Sequence, residues 1–129
     1  SDDNTEFEIR DLEPAVVEEE EPAEQEVFII VEQMPVFPGG EEALRTYLAK
    51  EVKYPAIAQE NGIQGRVFVK FVIAPDGSVT NVEVARPFDP VLDKEAVRVV
   101  KSMPKWTPGR QRGKAVRVSY TVPINFKLQ

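Results

Sequence analysis

From Val116 onward every second residue is large and apolar: Val116, Val118, Tyr120, Val122, Ile124, Phe126 and Leu128 alternate with Arg117, Ser119, Thr121, Pro123, Asn125 and Lys127. A period of two is that of a strand with one dry and one wet face. Pro123 lies inside this run, and a residue without a backbone N–H is confined to a sheet edge, so the pattern predicts a last strand with an open side. Residues 66–74 also alternate, with Val67, Val69, Phe71 and Ile73 on one face and Phe68, Val72 and Ala74 on the other, interrupted by Lys70. Apolar residues on both faces predict a central strand. Pro75-Asp76-Gly77-Ser78 then reads as a turn into a second strand over 79–85, with Val82 and Val84 inward.

Helical spacing appears in two places. Ala43, Leu44, Tyr47 and Leu48 share one face of a helix predicted over about 41–51, with Glu41 and Glu42 suited to its positive N-terminal end. Met34 to Gly40, with two prolines and two glycines, is extended, turn-forming backbone ahead of it. Leu92, Ala96, Val99, Val100 and Met103 mark a further helix, capped by Asp89-Pro90, complemented by Lys101 and Lys105 and stopped by Pro104. A short helical turn between Tyr54-Pro55 and Asn61-Gly62 completes the set. The order helix, strand, turn, strand, helix, strand predicts an α+β fold. It is a three-stranded antiparallel sheet (a split βαβ unit) with two or three helices on one face and an open edge at the C-terminal strand.

Charge divides the chain more sharply than its total of −6 suggests. Residues 1–26 hold twelve acids against Arg10, and the remaining 103 residues carry a surplus of five bases. With Pro14, Pro22 and few large apolar residues, residues 1–33 read as an acidic, disordered linker before a domain at 34–129. Val27 to Val31 is a short β-branched run, an added strand whose partner the sequence does not name.

The 129 residues contain no cysteine and no histidine, which removes thiol chemistry, the commonest general base and the usual zinc ligands. The remaining carboxylate pairs, Glu41 with Glu42 and Asp89 with Asp93, are better explained by helix starts, and Ser78 and Ser119 have no histidine to activate them. The expectation is a binding module without catalysis, metal or cofactor. Six bases between Lys101 and Arg117, with no acid among them, form either a steering patch for acidic peptide or a solvated loop. That surplus is too small, and too poor in aromatics, for nucleic acid. No run of 18 apolar residues is present, so any membrane anchor would lie outside this sequence.

Tyr54-Pro55-Ala56, Gly62-Ile63-Gln64-Gly65-Arg66-Val67, Pro75-Asp76-Gly77-Ser78-Val79, Trp106-Thr107-Pro108-Gly109 and the closing alternating strand occur in the order and spacing of TonB C-terminal domains. The leading Phe37-Pro38-Gly39-Gly40 resembles the variant of that family with this segment before the first helix. The resemblance covers about residues 34–129. It implies the periplasmic end of an energy transducer, anchored in the inner membrane of a Gram-negative envelope by an N-terminal helix. It also implies two sets of partners: ExbB and ExbD at the inner membrane, and outer-membrane TonB-dependent transporters that present a TonB-box peptide. Through such partners proton-motive force would drive nutrient or siderophore uptake.

An extended peptide could then add to the free side of Val116, Arg117, Val118, Ser119, Tyr120, Thr121 and Val122, with further contacts from Tyr54, Pro55, Arg110, Arg112 and Lys114. Trp106, the single tryptophan, is read as packing rather than contact. Two alternatives stand beside this: a ligand-sensing module fused to a membrane peptidase-like sensor, and a domain that swaps strands through its open edge. The first would differ in its N-terminal sequence, the second in a concentration-dependent mass; the transducer reading expects a monomer or weak dimer. A further hypothesis is that Val27 to Val31 covers the open edge until a receptor binds.

Overall fold

The computed structural model describes residues 26–129. The expectation for the acidic tail over residues 1–25 lies outside the described residues. β1 (Val27–Phe28) is followed by α1 (Glu41–Glu51), α2 (Ala56–Glu60), β2 (Gly65–Ile73), β3 (Val79–Val84), α3 (Pro90–Lys101), β4 (Gly109–Gln111) and β5 (Lys114–Phe126). None of the described helices is long and apolar enough to cross a membrane.

The sheet runs β1-β5-β2-β3, with β4 paired to β5 off that path. β2 is central as predicted, antiparallel to β3 on one side and to β5 over Ile73↔Val118 to Gly65↔Phe126 on the other. β3, α3 and β5 therefore form the split βαβ unit around β2. Val67, Val69, Phe71 and Ile73 join Leu92, Ala96, Val100, Val122, Ile124 and Phe126 in one core between the sheet and the helices.

Three details differ from the expectation. The sheet is mixed rather than purely antiparallel, because β1 pairs with β5 in parallel, Val27 opposite Arg117 and Phe28 opposite Val118. A β4–β5 hairpin, turning at Arg112-Gly113 with φ of 55° and 78°, replaces the expected loop; two positive φ values match the twist of the flanking strands. Finally, β2 is central but covered on one face only, and Phe68 on the outer face is 44% exposed. Its apolar character is tolerated beside the Lys70–Glu83 ion pair and the Arg66–Asn125 hydrogen bond of the same face.

Each helix begins as its sequence dictates. Asp89 accepts from the N–H groups of Val91 and Leu92, Asp93 accepts from those of Phe88 and Asp89, and Pro90 fills the first helical position. α3 ends at Lys101, short of Pro104, since a residue preceding proline is disfavoured in helical conformation. Gly40 caps the start of α1 after the Phe37–Gly40 turn, which drives Phe37 into the core against Tyr47 and Trp106.

Before α1, residues 26–40 form a strap along the sheet. Gln33 and Arg110 exchange backbone hydrogen bonds at 3.1 and 2.8 Å, and Val36 and Thr107 do so at 3.0 and 2.8 Å. Within it Val31 and Pro35 are buried, while Ile29 and Ile30 are 74% and 79% exposed at its bend.

Candidate functional site: the free edge of β5 and the groove beside it

β5 is longer than any of its neighbours, and that mismatch creates the site. Lys114 to Val116 pair with β4, which by register lies on the same side of β5 as β2, because Arg110 turns its backbone away from β5 toward Gln33. On the side away from β2, Arg117 and Val118 face β1. Beyond Val118 no described strand covers that side, so the edge is free from Ser119 to Phe126. The open stretch thus differs from the expected one: Arg117 and Val118 are already paired to β1 on that side, Val116 is held by β4 on the other, and the open edge runs from Ser119 four residues past Val122.

Which backbone groups face outward follows from the register. The Phe68 carbonyl accepts from Ala85 of the β3 side, so the polar backbone of Phe68 points away from β5, and Pro123 opposite it points away from β2. Thr121 and Asn125 therefore present both N–H and C=O to the open side, Pro123 presents only a carbonyl, and at Ser119, where the parallel ladder with Phe28 ends, the carbonyl is the open group. The proline sits where its missing donor costs the folded sheet nothing.

Beside this edge runs a groove of about 640 Å³, walled by Leu44, Arg45, Leu48 and Ala49 of α1, by Val52 that caps its C-terminal end and by Tyr54, and floored by Tyr120, Val122, Ile124 and Phe126. α1 and β5 run the same way along it. Glu41 lies at the Tyr120 end, where burial and the Glu41 carboxylate together push the Tyr120 phenol up. Tyr54 closes the other end, its ring 5.6 Å from that of Phe126 and its hydroxyl donating to the Ile63 carbonyl. A cleft of about 250 Å³ continues past Glu41 between Phe37, Trp106 and Tyr120.

The α1 wall is held from behind by α3. Glu95 accepts from the Lys53 backbone N–H at 2.7 Å and from the Arg98 guanidinium at 2.7 and 2.8 Å, and Arg98 also donates to the Glu51 carbonyl at 2.9 Å. These bonds, with Arg98 foremost, hold the Glu95 carboxyl below the usual glutamate range. Tyr47 donates to the Ser102 carbonyl at 2.7 Å, fixing the middle of α1.

The remaining predicted contact residues separate. Tyr54 lines the groove, and Pro55 serves as the N-cap of α2 beside it. Arg110, Arg112 and Lys114 belong to the β4–β5 hairpin and line neither the groove nor the cleft. Arg110 donates to the Gly113 carbonyl, and the Arg112 N–H donates to Glu32. Trp106 is 3% exposed and packs edge-on against Phe37, Phe71 and Tyr120, so its role is in the core. The α1 wall is not among the contact surfaces expected from sequence; its sequence signal is Leu44 and Leu48 on one helix face, continued four residues on by Val52 at the helix C-cap.

Residues 50–128 match the family model described as Gram-negative bacterial TonB protein C-terminal. Protein TonB of Helicobacter pylori is 31% identical over 87 residues, which are 67% of this chain and 29% of that protein. Protein TonB of Pseudomonas aeruginosa is 35% identical over 78 residues, 59% of this chain and 22% of that protein. The chain thus spans less than a third of the length of these curated relatives. Among solved structures, an NMR solution structure of the Helicobacter pylori TonB-CTD is 27% identical with a TM-score of 0.49, covering 71% of this chain and 89% of that one. A Pseudomonas aeruginosa TonB CTD solution structure is 25% identical with a TM-score of 0.43, covering 60% and 80%. The family match runs from the end of α1 through β5, taking in the free edge and well over half of the sequence, and the chain belongs to the TonB C-terminal domain family.

Proposed function

We propose that this domain is the receptor-binding end of a TonB-type energy transducer: it takes an extended peptide of an outer-membrane TonB-dependent transporter as an added strand on β5. The observation that carries this is the free edge from Ser119 to Phe126 opening onto an apolar groove. Backbone pairing there fixes orientation and register: four to six hydrogen bonds at about 0.5–1.5 kcal/mol each give about 2–9 kcal/mol, less than the roughly 8 kcal/mol of a micromolar contact once association entropy of about 4 kcal/mol or more is subtracted, so side chains seated in the groove must supply the remainder. In this reading the domain works in the periplasm, tethered through the acidic linker to an inner-membrane anchor. ExbB and ExbD engage that membrane part. Strand addition suits traction, because a pull along the strand loads its hydrogen bonds together, whereas a pull across it opens them one at a time.

An NMR titration of labelled protein with receptor N-terminal peptides tests the reading. Shifts should concentrate on Ser119–Phe126 and on α1. No shift at millimolar peptide would overturn it.

A further inference from the structure

The free edge and the groove are two parts of one seat, and the second part sets a requirement that the first does not. A strand laid on Ser119–Phe126 turns every other side chain toward the helices, as β5 itself does. Those side chains meet the row Leu44, Leu48, Val52. Residues four apart on a helix are about 6 Å apart along its axis, and residues two apart on a strand about 6.6–6.8 Å. Because α1 runs alongside β5, the two rows stay in step over three positions, from the Tyr120 end to the Phe126 end.

We propose that α1 reads the side chains of the bound strand, and that the partner is an extended peptide with apolar side chains at three alternate positions, i, i+2 and i+4, seated over Leu44, Leu48 and Val52. This rests on the strand-addition reading and gives it a specificity that backbone pairing lacks, since any extended chain can satisfy the hydrogen bonds. β1 shows that this side of β5 pairs with a strand, and the groove begins where β1 leaves off at Phe28. Pro123 supports the assignment: with one donor missing from the middle of the ladder, side-chain seating carries more of the discrimination. The neighbouring α1 residues Arg45 and Ala49 complete the wall, and both are exposed.

The test uses two peptides of identical composition, one alternating valine and threonine and one with the valines and threonines in separate blocks, titrated against the intact chain by calorimetry and NMR. The alternating peptide should bind at least about tenfold more tightly, because the block sequence can seat fewer of its valines. Ala49→Trp, which fills the groove from an exposed helix position, should erase that preference while leaving the fold intact by NMR dispersion. Leu48→Ala should weaken the alternating peptide more than the block peptide. Equal affinities, both with shifts on Ser119–Phe126, would overturn the side-chain reading and leave strand addition standing. No binding by either peptide would overturn both.

Discussion

Replacing Gly77 with alanine isolates a contact between the β2–β3 turn and the loop that follows α3. Gly77 has φ +90°, its carbonyl accepts from the Trp106 backbone N–H at 2.8 Å, and a Cβ would lie 2.1 Å from the Trp106 carbonyl oxygen. The left-handed backbone costs alanine about 1–2 kcal/mol. The clash is with backbone, which cannot swing aside as a side chain can, so the turn must lift from Trp106 and the hydrogen bond, worth about 0.5–1.5 kcal/mol, is lost or stretched. Together these give about 2–3 kcal/mol, a fall of about 10–15 °C in Tm for a domain of this size. Gly62→Ala is the control: its φ is +67°, but nothing lies within 4 Å of the added Cβ. Only the backbone cost of about 1–2 kcal/mol remains there, a fall of about 5–10 °C. Circular dichroism melts of the two variants at one pH make the comparison. Equal losses would refute the claim that the Trp106 contact, rather than the turn conformation alone, makes glycine necessary at position 77.

Asp89→Ala should cost about 1 kcal/mol by removing the acceptor for the Val91 and Leu92 N–H groups, and Asp89→Asn should recover most of it; urea midpoints measure both. Because the folded Glu95 carboxyl is held below its ordinary range, its stabilising effect is present above the unfolded pKa and is lost as pH falls through the folded value. Glu95→Gln should therefore lower Tm at neutral pH and flatten its decline in acid, and an unchanged acid limb would contradict the assignment. Removing residues 1–28 uncovers Arg117 and Val118 and lengthens the free edge; tighter peptide binding by calorimetry is expected if β1 competes for that edge, and unchanged affinity would rule competition out.

α1, β2, α3 and β5 were legible in the sequence because each repeats one apolar face often enough to fix its period, and Pro123 marked the edge because a missing N–H has few places to go. What stayed hidden depends on contacts far apart in the chain. β1 is two residues long, and nothing local to Val27 and Phe28 names Arg117 and Val118 as partners. The β4 hairpin turns on Arg112 at a positive φ, and Gly109 to Gln111 lack alternation; their pairing is supported from outside by Gln33 and Glu32. Phe68 looked buried because its strand is apolar on both faces, yet the described helices all gather on the other side. The groove had no signature either, since it is the gap left where β5 outruns β1 and α1 stands off its edge.

Trp106 gives the domain a built-in optical reporter. It is the single tryptophan, almost wholly enclosed, and its ring lies 4.9 Å from that of Tyr120, which forms part of both the groove and the adjoining cleft. Indole emission is sensitive to the polarity and motion of its surroundings, so unlabelled protein should glow from a dry environment when folded and shift to the red when the core opens. A strand settling against Tyr120 would disturb the same chromophore without unfolding anything. Occupancy and integrity could then be followed in one cuvette, through one side chain whose ordinary task is to hold Phe37, Phe71 and Tyr120 together.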